Sequence, residues 1–240
     1  MKLCDLTQFY SPVSGGVKRY VHEKIRYIQR ATDDQHVLVI PGNSNGLVET
    51  ERSSIYSIRS PLLSRTSRYR ILLNLRAIEE ILERERPDLI ESGDPYQVAW
   101  KAIASGMALR IPVVGFYHSH FPEAYLRTTA RFFGRTATEF MMDLARRYVR
   151  QIYNRFEATL VPSEPLGTLL GSWGVKNVCA AAVTRLRLRT CSKSSSRPSG
   201  LSTRAISARV AGRSVTEQST SAASAVSNEC ASKGSCSAVA

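Results

Sequence analysis

An α/β fold, a Rossmann-like parallel sheet with helices on both faces followed by a disordered tail, is what this sequence predicts, and three observations carry it. Over residues 1–177 short apolar runs alternate with stretches of helical period, the pattern of strand and helix in turn. The runs are apolar throughout, as in strands covered on both sides. Beyond residue 177 both signals stop, and the chain becomes mostly Ser, Ala, Thr and Arg.

Lys2 to Gln8 reads as the first strand, Phe9 to Gly16 as a turn, and Val17 onward as a helix. Ser14-Gly15-Gly16 puts two residues without a Cβ where the chain reverses, so the backbone is free to take φ > 0 and a ligand can come close. The helix then opens with unpaired N–H groups. Together with the positive end of the helix dipole they favour an anion: a phosphate, a carboxylate or a polarised sugar oxygen. Val17, Tyr20, Val21, Ile25 and Ile28 form the apolar stripe that packs this helix on the sheet. Turn geometry alone explains two glycines equally well. The segment is neither G-x-G-x-x-G nor a phosphate loop ending in Gly-Lys-Ser/Thr, so a dinucleotide or ATP fingerprint is not supported.

His36 to Ile40 is the second strand, ending at Pro41-Gly42-Asn43, and Ser53 to Arg59 a weaker third. A basic loop, Leu62 to Arg70, leads to a helix striped by Ile71, Leu75, Ile78 and Leu82, which Pro87 ends. Asp88 to Ser92 is the fourth strand; Ala99, Ala102, Ile103 and Gly106 mark the next helix; Pro112 to Tyr117 is the fifth strand. A long connection from His118 to about Arg135 precedes a helix striped by Met141, Leu144, Tyr148 and Ile152. Phe156 to Val161 is the sixth strand, and Pro165 to Trp173 a short helix.

In such sheets ligands bind beyond the carboxyl ends of the strands. That edge draws on Phe9 to Gly16, Ser92 to Tyr96, His118 to Tyr125 and Pro162 to Glu164. His118-Ser119-His120-Phe121-Pro122-Glu123 leaves the fifth strand directly and carries two imidazoles, groups that exchange a proton near neutral pH or donate a neutral hydrogen bond to a sugar hydroxyl. A histidine tied to backbone in a packed loop is the plain alternative. Asp94, before Pro95, could receive a hydroxyl, although an Asp there commonly serves turn and cap chemistry. Arg65, Arg68, Arg70, Arg127, Arg131 and Arg135 make two loops basic, as a solvated surface or as one that meets an anionic lipid surface or a phosphorylated acceptor.

The formal net charge is +13. Residues 1–177 hold 24 Lys and Arg against 18 Asp and Glu, and residues 178–240 hold 9 against 2, so over half of the excess lies in the last quarter. All nineteen aromatic residues, all four His and every Asp stand at or before Trp173. Cys179, Cys191, Cys230 and Cys236 have no metal-site spacing, and neither a zinc site nor a disulfide framework is expected. No apolar run approaches the roughly 20 residues that span a bilayer, and no signal peptide is evident, so a cytoplasmic protein is expected. The domain reading is 1–177 for the α/β unit and 178–240 for a low-complexity basic tail, which lacks the apolar content to order itself. Two origins compete for that tail: a natural basic extension, or a coding frame lost after about residue 178. The abrupt switch inside Gly174-Val175-Lys176-Asn177-Val178, which reads as the start of a strand, favours the second.

Phe9-Tyr10-Ser11-Pro12-Val13-Ser14-Gly15-Gly16-Val17 after a first strand, Phe116-Tyr117-His118-Ser119-His120-Phe121-Pro122 after a fifth, and Val161-Pro162-Ser163-Glu164 after a sixth together resemble the N-terminal domain of family 4 glycosyltransferases over roughly residues 1–178. The resemblance implies the N-terminal half of a GT-B architecture, in which two Rossmann-like domains face each other across a cleft. The first binds mainly the acceptor and the second the nucleotide-sugar. It implies transfer of a hexose with retention of configuration, with nucleotide-sugar as donor and no cofactor or required metal. By position, Gly15 and Gly16 lie at the donor phosphates and sugar, His118 is the catalytic contact to the transferred sugar, and Ser163 and Glu164 mark the crossing between domains. Asp94, His120 and Glu123 are the candidate acceptor contacts, and the basic loops a candidate peripheral membrane contact. The family's second-domain motifs do not appear, so a chain inactive by itself is expected. The alternative function is a basic protein binding nucleic acid or an anionic membrane surface. A different Rossmann-like enzyme, such as an epimerase, finds no dinucleotide fingerprint to support it.

Overall fold

A computed structural model describes residues 1–11, 13, 15–63, 68–118 and 134–180. In chain order its elements are β1 Lys2–Leu6, α1 Gly16–Ala31, β2 Gln35–Gly42, β3 Gly46–Thr50, β4 Ser53–Arg59, α2 Leu75–Glu85, β5 Leu89–Ser92, α3 Gln97–Leu109, β6 Val113–Phe116, α4 Arg135–Tyr153, β7 Ala158–Val161, α5 Glu164–Ser172 and β8 Val178–Ala180. The strands form one sheet in the order β3-β4-β2-β1-β5-β6-β7-β8, and every neighbouring pair is parallel except β3 with β4.

From β1 the chain steps one way to β2, and from β5 it steps the other way to β8. Right-handed crossovers therefore put α1 on one face and the later helices on the other. The core divides accordingly. Cys4, Leu6, Val37, Val39 and Ile90 face α2, α3 and the inner residues Val149, Ile152 and Tyr153 of α4. Leu3, Leu38, Ile40, Leu89 and Phe116 lie on the opposite face with Val21, Ile25 and Ile28 of α1. Where β1 and β5 lie side by side, their following connections diverge to opposite faces, which opens a crevice at their carboxyl ends.

Local chemistry sets the boundaries. The Asn74 side chain caps α2 by accepting the Ala77 N–H at 3.2 Å, and the helix ends at Arg86 in the left-handed region, ahead of Pro87. Glycine admits close packing in β6. A Cβ on Gly115 would stand 2.4 Å from the Phe156 ring and 3.0 Å from Tyr153.

The structure differs from the sequence reading in three places. β3 is an additional strand, antiparallel to β4 through a tight turn. All five of its residues are exposed, so it lacks the apolar run by which buried strands are read. β8 lies within the stretch assigned to the tail, yet Val178, Cys179 and Ala180 pair in register with Thr159, Leu160 and Val161. The folded unit thus runs to residue 180 at least, and residues 181–240 lie outside the described residues. The third difference is the face of α4. Met142, Ala145, Val149, Ile152 and Tyr153 are buried, whereas Leu144 is 57% exposed and Met141 36%. Phe140-Met141-Met142 makes the helix apolar over so wide an arc that periodicity alone admits two faces.

Gly115→Ala should force the Phe156 ring off β6 and cost about 1–3 kcal/mol by overpacking. Urea denaturation of the variant checks this, with the midpoint expected to fall and the slope to stay unchanged.

Candidate functional site

The carboxyl ends of β1, β5 and β6 bring three short segments together: Thr7 and Gln8, Gly93 and Asp94, Tyr117 and His118. The Gly93 N–H donates to the Leu6 carbonyl at 2.9 Å and closes the β1–β5 seam. A Cβ on Gly93 would stand 3.3 Å from His118 Nε2 and 3.3 Å from Thr7 Oγ1, so the imidazole edge and the hydroxyl meet across that glycine. Thr7 Oγ1 is buried without a hydrogen-bond partner among the described residues.

His118 is held by aromatic rings. It stacks on Phe116, with centroids 4.1 Å apart and planes at 26°, and meets Tyr20 edge-on at 5.1 Å and 73°. Tyr20 lies one helical turn after Gly16, on the same side of α1, so the imidazole sits against the end of the helix that carries the glycine turn. Burial, and secondarily the positive charge of Lys24, push the His118 pKa from 6.5 down to about 3, with Asp5 opposing. The ring is neutral at physiological pH. It therefore offers one N–H donor and one acceptor nitrogen.

Behind Tyr20 lies a cluster of buried charges. Lys24 Nζ donates to Asp5 Oδ1 at 2.8 Å, Asp5 Oδ2 at 3.0 Å and Glu91 Oε2 at 2.8 Å, while the Tyr20 hydroxyl donates to Glu91 Oε1 at 3.0 Å. His36 Nε2 reaches Asp5 Oδ2 at 2.9 Å. Asp5 and Glu91 face each other in register on β1 and β5. Burial alone would raise the Asp5 pKa, but Lys24 and His36 outweigh it and hold the carboxyl low. Burial would likewise lower Lys24, and the two carboxylates reverse this and hold the ammonium charged. Glu91 stays above the ordinary carboxylate range because burial, reinforced by Asp5, outweighs Lys24.

The glycine turn takes a form different from the one the sequence suggests. Gly15 has φ −89 and ψ −50, ordinary right-handed backbone, and the glycines with positive φ among the described residues are Gly134 and Gly174. A Cβ on Gly15 or Gly16 would meet nothing within 4 Å. Among the described residues, neither a positive φ nor packing requires glycine at these two positions. The N-cap of α1, Gly15, makes no side-chain cap bond, and the first turn of the helix holds no acidic residue. The preceding loop is pinned by the Tyr10 hydroxyl, 2.9 Å from His22 Nε2 on α1.

The other candidates separate. Asp94 is 2% exposed, and its oxygens accept the Gln8 N–H at 2.8 Å and the Tyr96 N–H at 3.3 Å, so it ties two loops together and presents no group outward. Ser163 and Glu164 stand at the end of β7 and the start of α5, Ser163 half-buried and Glu164 exposed. His120 and Glu123 lie outside the described residues, as do Arg65, Arg127 and Arg131. Arg70 Nη1 donates to the Ser60 carbonyl at 2.6 Å and so helps to hold its own loop. No group of three His, Cys, Asp or Glu able to hold a metal occurs among the described residues, and none of their helices is long and apolar enough to cross a membrane. Sequence reasoning missed Tyr20, Lys24, Asp5 and Glu91 as a unit. The signal was available: a carboxylate inside each of two apolar strands, and a lysine inside the apolar stripe of the first helix.

The sequence profile of Glycosyltransferase Family 4 matches residues 14–181. No curated protein matches the chain. Among solved structures it is similar to HepE of Anabaena, crystallised in complex with UDP and glucose, at 13% identity over 75% of this chain and 43% of that one, TM-score 0.44. It is similar also to a sucrose-phosphate synthase from Thermosynechococcus elongatus, at 11% identity over 75% and 87%, TM-score 0.48. A third is the UDP-GlcNAc 2-epimerase of Methanocaldococcus jannaschii, at 16% identity over 76% and 45%, TM-score 0.43. The chain spans less than half the length of HepE and of the epimerase.

The two titrating groups at the crevice, buried Asp94 and half-buried His118, should leave opposite marks on stability. Between about pH 3 and 6.5 the unfolded chain protonates His118 and the native chain does not, so this group makes stability rise with pH. Burial raises Asp94 from 3.8 to about 6, against its two amide bonds, so this group makes stability fall as pH rises through that window. Relative to the parent chain, His118→Phe should gain most near pH 3 and almost nothing near pH 7, and Asp94→Asn should gain progressively as pH rises from about 4 to 6, each by at most about 1.4 kcal/mol per pH unit. Denaturation midpoints at three pH values measure both.

Proposed function

Because the chain belongs to glycosyltransferase family 4, we propose that it forms the acceptor-side half of a retaining hexosyltransferase that uses a nucleotide-sugar donor. The observation that carries this reading is the glycine pair. Gly15 and Gly16 stand at the start of α1, Gly15 in right-handed backbone geometry, and a Cβ on either would meet none of the described residues within 4 Å. A side chain there would meet none of the described residues, which leaves room for a ligand seated on the helix N-terminus. The positive end of the helix dipole and the N–H groups of the first turn suit the diphosphate and the sugar oxygens of an activated hexose.

In this reading neutral His118 donates a hydrogen bond to a hydroxyl of the transferred sugar. Its low proton affinity suits that role better than general acid catalysis at neutral pH. No cofactor is invoked beyond the donor, since the helix terminus supplies the positive field. Acceptor contacts fall to His120 and Glu123 in the segment after β6, with Ser163 and Glu164 facing the second domain. The basic loops give a cytoplasmic enzyme a peripheral hold on an anionic membrane face. Donor selection belongs to the second domain, so the 240-residue chain alone is expected to bind nucleotide-sugar weakly and to turn over none.

Gly16→Ala separates fold from function. Its first-turn position accepts Ala without collision, so stability should rise by about 0.4–1 kcal/mol. In NMR titrations of the parent chain with a panel of nucleotide-hexoses, the amides of Gly15 and Gly16 and the ring of His118 should shift together, with no product formed. In Gly16→Ala those shifts should disappear. Nucleotide-hexoses that leave all three groups unmoved overturn the reading, and turnover by the parent chain overturns the expected inactivity.

A further inference from the structure

The glycosyltransferase reading uses His118 but says nothing about what holds it. Its imidazole has a wall on each side: the face of Phe116 at 4.1 Å and the edge of Tyr20 at 5.1 Å, with Thr7 and Gly93 at its Nε2 edge. Phe116 belongs to the strand from which His118 departs, so its place is set by β6 itself. Tyr20 arrives from another element. Its ring packs on Phe116 at 4.5 Å, and its hydroxyl is committed to Glu91 Oε1 at 3.0 Å. The second oxygen of Glu91 accepts from Lys24, one turn further along α1, which is also fixed by both oxygens of Asp5. Lys24 Nζ lies 4.9 Å from the Tyr20 ring centroid as well, so the phenol is held at its hydroxyl and over its face.

We propose that Tyr20 is a positioning residue for His118, fixing the imidazole at the mouth of the crevice, and that its bond to Glu91, itself locked by Lys24 and Asp5, is what fixes Tyr20. The consequence is directional. α1 carries the glycine turn at its start and Tyr20 one turn later, so a single helix sets the spacing between the anion-binding end and the imidazole. Among the described residues the charged and titratable groups around His118 are Tyr20, Lys24, Glu91 and Asp5; Lys24 pushes its proton affinity down while Asp5 pulls it up. Loosening Tyr20 admits more water to a ring it now partly covers. The proton affinity of His118 should then rise even though no charge has been removed.

The test reads His118 directly in the full 240-residue chain labelled for imidazole NMR, without ligand. Tyr20→Phe keeps the ring and removes only the bond to Glu91. Its His118 proton affinity should rise about threefold or more, with altered ring shifts, and Tyr20→Leu should raise it about tenfold or more, one pH unit in the titration midpoint. A tyrosine that merely fills space would lower the melting temperature and leave the His118 midpoint of the folded protein unchanged. Unchanged His118 signals in Tyr20→Phe overturn the proposal, including when Tyr20→Leu fails to fold. The inference rests on the glycosyltransferase reading for its purpose, but the two fail separately. The ligand titration decides the reading, and the ligand-free Tyr20 variants decide the clamp.

Discussion

The structure depends on one buried ammonium. Lys24 lies 4% exposed between Asp5 and Glu91, two carboxylates that adjacent central strands bring face to face. Without a cation there, the seam between β1 and β5 would place like charges together in a medium that stabilises neither. With it, α1 has one rotation and one height on the sheet. Apolar contacts of Val21, Ile25 and Ile28 would tolerate small slides of the helix; three short charged hydrogen bonds do not.

Topology supplies the location and this cluster supplies the precision. The reversal of strand order at β1 and β5 opens a crevice at their carboxyl ends, and the segments after β1, β5 and β6 all end there. Asp94 then closes the floor by binding the amides of Gln8 and Tyr96, with the imidazole of His118 and the start of α1 at the rim. Each group has a mechanical neighbour: Phe116 and Tyr20 for the imidazole, Tyr10 and His22 for the loop before the glycines.

Much of this was legible in the residues, because buried parallel strands announce themselves. Val37 to Ile40, Leu89 to Ile90 and Val113 to Val114 are apolar runs with nothing to alternate against, and each was placed correctly. The elements missed are those whose formation is tertiary. β3 exists because β4 offers it a partner; β8, whose start at Gly174 to Val178 the sequence did suggest, continues to Ala180 because β7 pairs with it. The exposed face of α4 went astray for the opposite reason, an excess of apolar residues. At the crevice, the sequence order points to the glycine pair and to His118, and the reason it suggests for the glycines, positive φ, is not the one the backbone gives. Lys24 escaped notice because a stripe is read by its apolar members, and a lysine within it looks like an interruption until the two carboxylates opposite are seen.

A helix anchored in this way makes the crevice a fixed template. The entropy of ordering its first turn has been spent during folding, so a ligand of the kind proposed would find the first-turn amides already aligned and lose affinity only for its own immobilisation. Such a rim would discriminate by outline, because yielding would mean breaking up the ion cluster beneath.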